Sequence, residues 1–213
     1  MPSRLRIGID FDNTIIAYDA VFRAAAQQRG LIDESFSGRK QAVRDAIRAL
    51  PDGELAWQRL QGHVYGKGIA AATMVAGVKP FLCRCRAEGC DVAVVSHKTE
   101  YGHFDPDRVN LRQAALDWMA AQGLFEGDCA ILRENVFFEA TRADKLKRID
   151  ALRLTHFIDD LEEVLTDPGF PPHVQRILFA EERAAAAAVY VSFPSWPEIA
   201  EYVFSGGRPV ERA

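Results

Sequence analysis

The sequence contains no apolar run long enough to cross a bilayer, so a membrane-spanning helix is excluded and no membrane partner is expected. Positive charge is not in excess either. Lys and Arg total 26 against 30 Asp and Glu, a formal net charge of -4. A protein that coats nucleic acid needs a basic surface, so that role is excluded. Cysteine is scarce: the four are Cys83, Cys85, Cys90 and Cys129, with no Cys-x-x-Cys pair and no His at zinc-ligand spacing. A zinc site or redox motif is therefore not expected. Reduced, packed thiols in a cytoplasmic protein are. The residues Met1 to Arg6 run straight into the first apolar segment, and no leader peptide is expected. No internal repeat is visible. One compositional oddity, the alanine run 184–188, reads as a helix end or a tight packing surface.

What is present is an ordinary globular composition in 213 residues, enough for one domain or a domain with an insertion. The stretch Ile7 to Thr14, I-G-I-D-F-D-N-T, organises the rest. Leu5, Ile7 and Ile9 suit a buried strand. The strand ends abruptly in two carboxylates, Asp10 and Asp12. In open α/β sheets ligands bind outside the carboxyl ends of the strands, so the charges fall where a ligand would sit. Two like charges about 4 Å apart repel by roughly 4 kcal/mol at an effective dielectric near 20. A cation relieves that repulsion, and an all-oxygen site suits Mg²⁺.

From about Tyr18 to Thr73 only helical signals appear. Phe22, Ala25 and Ala26 recur at helical spacing before Gly30, a C′ stop. Val43, Ile47 and Leu50 mark a second helix, and Asp52 is placed to cap a third. This region reads as an all-helical insertion, residues 17–76, between core segments 1–16 and 77–213. The core then alternates. A helix carrying Phe81, Leu82 and Cys85 precedes a strand from Asp91 to Ser96. A helix on Leu111, Ala115, Trp118 and Met119 precedes a strand within Cys129 to Phe138. Thr141 to Asp144 forms a capping box that opens a helix carrying Lys145, Leu146 and Ile149. A strand then ends in Asp159 and Asp160. Two further strands, Arg176 to Phe179 and Val189 to Phe193, and a helix from Pro197 to Phe204 follow. Strands alternating with helices predict an α/β, Rossmann-like parallel sheet. Such a sheet gathers Asp10, Asp12, Ser96, Asp159 and Asp160 on one edge, with Lys145 at a helix start there.

These motifs resemble the haloacid dehalogenase (HAD) superfamily of phosphatases and phosphotransferases. The matching pieces are I-D-F-D-N-T at Ile9 to Thr14, V-V-S at Val94 to Ser96, Lys145, and F-I-D-D at Phe157 to Asp160, in the family's order. Lys145 stands fourteen residues before Asp159, a separation typical of the family. The helical insertion falls where the family places its C1 cap. The resemblance implies a Mg²⁺-dependent phosphatase acting on a small phosphorylated metabolite, a sugar phosphate or nucleotide. It implies Asp10 as nucleophile and Asp12 as acid and base. It implies Ser96 and Lys145 as phosphoryl-oxygen partners. The metal falls to Asp10, the Asp12 carbonyl and Asp160, with Asp159 behind or through water. Phe11 and Asn13 offer amides to the phosphoryl oxygens, and Thr14, His97 and Lys98 join the substrate-binding set. Arg39, Lys40, His63, Tyr65 and Lys67 are cap residues able to reach an anion. The same residues also suit a phosphotransferase or mutase. A non-catalytic phospho-ligand binder has no use for both Asp10 and Asp12.

Overall fold

The computed structural model describes residues 4–104, 107–180 and 189–206, so the alanine run 184–188 lies outside the described residues. The elements begin with β1 (Arg6–Ile9), β2 (Ile16–Ala17), α1 (Asp19–Gln28), α2 (Lys40–Arg48), α3 (Gly53–Tyr65) and β3 (Thr73–Met74). They continue with α4 (Val78–Ala87), β4 (Asp91–His97), α5 (Leu111–Ala121), β5 (Val136–Glu139) and α6 (Arg142–Ala151). The last are β6 (His156–Asp159), α7 (Glu162–Leu165), β7 (Gln175–Phe179), β8 (Val191–Phe193) and α8 (Trp196–Phe204). No helix among the described residues is long and apolar enough to cross a membrane.

Two compact units are formed. The first gathers the described residues of 1–15, 75–97 and 123–213, and the second those of 16–74 and 98–122. The sequence pattern assigns 98–122 to the core segment, whereas these residues group with the insertion. In the first unit every ladder is parallel, and the strand order is β5-β4-β1-β6-β7-β8. Counting only these strands in chain order, that is the doubly wound order 3-2-1-4-5-6, whose direction reverses between β1 and β6. The central strands read as apolar runs because both faces are covered: Ile7, Ile9, Val94, Val95, Phe157 and Ile158 are fully buried. Gly8 interrupts this run for a reason of space. A Cβ there would run into the side chains of Leu154 and Phe157. Leu146 and Ile149 of α6 and Val164 and Leu165 of α7 close one hydrophobic cluster with Ala93, Val95 and Phe157. Elsewhere in the unit Phe81 of α4 meets Trp196 of α8 at 4.8 Å between ring centres.

Two expectations for this unit need correction. Cys83 and Cys129 form a disulfide, so not all four cysteines are reduced, and one support for a cytoplasmic setting falls. Cys85 is a buried free thiol, as its place on the apolar side of α4 implies. The strand sought within 129–138 is shorter and later, Val136–Glu139.

The second unit packs α1, α2, α3 and α5. It is not all helical, because β2 and β3 pair antiparallel, Ile16 with Met74 and Ala17 with Thr73. Two-residue strands are too short to leave a periodic signal. Asp52 precedes α3 but does not cap it. It adopts φ 54° and makes no side-chain capping bond. Phe22, Trp57 and Leu60 form the unit's buried interior, and the Trp118 indole donates to the Ala72 carbonyl at 3.0 Å.

Candidate active site

The sheet edge at the strand carboxyl ends is where the first unit collects its charge. Ile9 pairs with Ile158, so the next residues, Asp10 and Asp159, leave neighbouring strands side by side across the switch point. The Asp10 amide donates to the Ile158 carbonyl at 2.8 Å, which carries the ladder to the first carboxylate. Val94 also pairs with Ile9, so Ser96, two residues on, lies at the same edge and is 1 % exposed. After Asp12 the chain turns sharply. Asn13 takes φ 58°, a left-handed conformation that asparagine tolerates, and the Ile15 amide donates to the Phe11 carbonyl at 3.0 Å. Phe11 itself points inward, its ring edge on Phe138 at 5.8 Å. Thr14 is buried, and its carbonyl accepts from the Trp196 indole at 3.2 Å. Its hydroxyl has no hydrogen-bond partner among the described residues.

Lys145 comes to this edge from the first turn of α6. Thr141 caps that helix: its hydroxyl accepts from the Asp144 amide at 3.1 Å and donates to the Asp144 carboxylate at 2.7 Å. The Lys145 ammonium donates to Asp10 Oδ1 at 2.6 Å and to Asp159 Oδ2 at 2.7 Å. All three are removed from solvent: Lys145 is 2 % exposed, Asp10 5 % and Asp159 0 %. Asp159 Oδ1 accepts from the Leu161 amide at 3.0 Å, so that carboxylate is held from both sides. Other cations of the neighbourhood are engaged elsewhere. Arg142 pairs with Glu163 at 2.5 Å and the exposed Lys147 with Asp144 at 3.1 Å.

Burial is what sets the electrostatics. It pushes the Asp10 carboxyl up to about 7. Lys145 pulls it down, and Asp159 and Asp12 add to the rise. For Lys145 burial works downward, but Asp10 and Asp159 outweigh it and raise its pKa, so the ammonium stays charged. Oxygens of Asp10, Asp159 and Asp160 all lie within 4.8 Å of one another. Asp10 and Asp159 share one ammonium with Asp160 beside them, and an all-oxygen donor set of this kind fits a hard divalent cation.

The structure thus brings together Asp10, Asp159, Asp160 and Lys145, with Ser96 on the same edge. His97 extends β4 by one residue and its Nε2 lies 3.0 Å from the Ala140 carbonyl, next to the cap of α6. Nothing in the sequence pairs those two residues. Lys98 belongs to the second unit.

No model of a known protein family matches the chain, and no curated protein matches it in sequence. Solved structures do match in shape. A haloacid dehalogenase-like hydrolase from Streptococcus pneumoniae superposes with a TM-score of 0.62 at 14 % identity, over 95 % of this chain and 100 % of that one. The chain has the haloacid dehalogenase fold. A haloacid dehalogenase-like hydrolase from Xanthomonas campestris has a TM-score of 0.58 at 12 % identity, covering 95 % and 96 % of the two chains. A HAD-family hydrolase from Deinococcus radiodurans, with bound phosphate and sodium, has a TM-score of 0.53 at 13 % identity over 99 % of each. In this HAD-like fold, the switch point between β1 and β6 is where the carboxylate cluster stands.

Proposed function

We propose that this protein is a Mg²⁺-dependent phosphatase of small phosphorylated metabolites, sugar phosphates or nucleotides, working through an aspartyl-phosphate on Asp10. One observation carries the reading: the buried Lys145 ammonium bonded at once to Asp10 and Asp159, beside Asp160. A buried cation between two carboxylates carries a desolvation cost, and charged groups in such settings concentrate at functional sites, which supports a role for these residues in the reaction. That a similar structure holds phosphate agrees with phosphate as the product.

Asp10, the Asp12 carbonyl and Asp160 would hold the metal, with Asp159 behind them on Lys145. When bound, Mg²⁺ supplies charge compensation for the carboxylates and the phosphoryl oxygens. The chain's own groups do the rest. Asp10 Oδ attacks phosphorus, the bond to the ester oxygen breaks, and Asp12 gives that oxygen a proton. Water then attacks the aspartyl-phosphate, Asp12 takes its proton, and inorganic phosphate leaves with Asp10 restored. Ser96 donates to a phosphoryl oxygen, and the Phe11 and Asn13 amides receive the charge that develops there. Thr14 and His97 complete the substrate-binding set of this unit. The cytoplasm, where small phosphorylated metabolites are abundant, is the compartment this reading assigns. The Cys83–Cys129 bridge would there be open to reduction.

A screen of phosphorylated metabolites with Mg²⁺ and with EDTA tests the reading. Hydrolysis of at least one class with Mg²⁺, lost in EDTA, is expected; activity indifferent to EDTA removes the metal from the account. The pH dependence of Mg²⁺ binding is a second test. Asp10 titrates near 7 and the metal takes its charged form. A proton therefore competes below that pH. Titration calorimetry should show affinity falling up to about tenfold per pH unit below 7 and levelling above it. Affinity that is flat from pH 5.5 to 8 contradicts Asp10 as a ligand.

A further inference from the structure

At the other edge of its sheet, the first unit has a cavity that the reaction above does not use. Its volume is about 110 Å³, smaller than a cavity of roughly 150 Å³ that can hold benzene. Asp91 and Val92 of its wall open β4, whereas Ser96 stands near that strand's carboxyl end, so the cavity lies at the amino ends of the parallel strands. Leu82, Val92 and Ile131 make its apolar side. Cys90 and Cys129 both line it, the first a free thiol and the second one half of the Cys83–Cys129 bridge.

A disulfide is opened by a thiolate that attacks one of its sulfurs, and exposed bridges are the labile ones. Both halves of this bridge are partly exposed. Cys129 lines the cavity and Cys83 does not, so a group that enters there meets the Cys129 side of the bond first. The chain's own free thiols are poor attackers. Burial pushes the Cys85 thiol far up, and Cys85 is not on the cavity wall. Burial also raises the pKa of Cys90, and the carboxylates of Glu88 and Asp91 add to the rise against the pull of Arg4. The attacking thiolate must therefore come from outside the chain.

The charges on the wall select among thiols. Arg4 and Arg86 line the cavity against a single carboxylate, Asp91. Arg4 is engaged: it pairs with Asp91 at 2.9 Å, and its Nε donates to the Gly89 carbonyl at 2.7 Å. The exposed Arg86 adds a second guanidinium, so the wall carries net positive charge. A guanidinium is a donor-only fork that matches carboxylate oxygens. We propose that this cavity is a site of reversible S-thiolation, where a low-molecular-weight thiol bearing carboxylates opens the Cys83–Cys129 bridge and is left bonded to Cys129. The step needs no oxidant or reductant beyond that thiol. Its thiolate attacks the Cys129 sulfur and the bond to Cys83 breaks. The electron pair leaves on the Cys83 sulfur, which takes up the proton that the entering thiol lost. One disulfide replaces another, and attack by Cys83 on Cys129 reverses the exchange.

The test treats the folded, non-reduced protein with glutathione, a thiol that carries carboxylates, then quenches in acid and maps the peptides after alkylation. Glutathione is expected on the peptide containing Cys129. The alkylating label should appear on Cys83 only after treatment, and on Cys90 with or without it. Rates of bridge opening by glutathione and by the neutral mercaptoethanol are then compared in the wild type and in Arg86→Gln. The ratio of the two rates should fall about threefold in the variant, the scale of losing one exposed charge interaction. Several results would overturn the proposal: glutathione on Cys83 instead of Cys129, a bridge that glutathione leaves intact, Cys83 already alkylated before treatment, or a ratio unmoved by Arg86→Gln. No phosphate ester enters these measurements, so they stand apart from the phosphatase reading.

Discussion

Asp10→Asn is expected to lower hydrolysis of the best phosphate ester by roughly 10⁴-fold or more, the scale of losing a covalent nucleophile. The amide keeps the shape of the carboxylate but neither attacks phosphorus nor accepts from Lys145 as an anion. Folding should survive. The replacement removes a carboxyl whose burial already pushes its pKa up to about 7, so a charge that the fold tolerates poorly is gone. Circular dichroism and thermal melting check the fold, and kcat of the variant checks the chemistry. Full activity in a folded Asp10→Asn protein would remove Asp10 from the reaction.

Lys145→Met should have the largest effect on stability. Methionine fills much the same volume, so packing is largely kept and the lost charge decides the outcome. Asp10 and Asp159, both nearly inaccessible to solvent, would face each other without the ammonium that now bonds them at 2.6 and 2.7 Å. Leaving buried charge uncompensated costs about 3–5 kcal/mol, so chemical denaturation in EDTA should show a loss of that size. Saturating Mg²⁺ should return part of it, since the ion meets the same carboxylates. Turnover should stay low even then, because the phosphoryl group would lack the Lys145 donor. A variant as stable as the wild type in EDTA would mean that the two carboxylates share a proton without penalty and that the lysine is not what holds them.

The sheet was legible because its strands are buried on both faces and end in charge. The runs before Asp10, Ser96 and Asp159 are short and apolar and stop at polar groups, and their alternation with helices points to a parallel sheet. Lys145 was legible for a different reason. No acid stands within a helical turn where it could pair with the ammonium, so a remote partner was implied. Its bonds do reach residues 135 and 14 positions away. That Asp159 shares the ammonium with Asp10 has no sequence signature, since adjacent Asp159 and Asp160 are alike until the strand's end gives them different directions.

What stayed hidden depends on long-range packing or on very short elements. The amphipathic pattern of α5 says that one face is covered but not by what, and the helix groups with the insertion. The ladder of β2 with β3 has two residues a side. Cys83 and Cys129 stand 46 residues apart, and nothing in that spacing marks a bond.

Hydrolysis by this route requires phosphorus to reach Asp10. The direct measurement is to mix the Asp12→Ala variant with a radiolabelled aryl phosphate and Mg²⁺, quench in acid and map the labelled peptide. An aryl leaving group needs little protonation, so the first step should proceed while the second, deprived of its base, stalls. Label on the peptide containing Asp10, absent when Asp10→Asn is added, is the predicted result. Protein that releases phosphate steadily while no label ever accumulates on that peptide would contradict it.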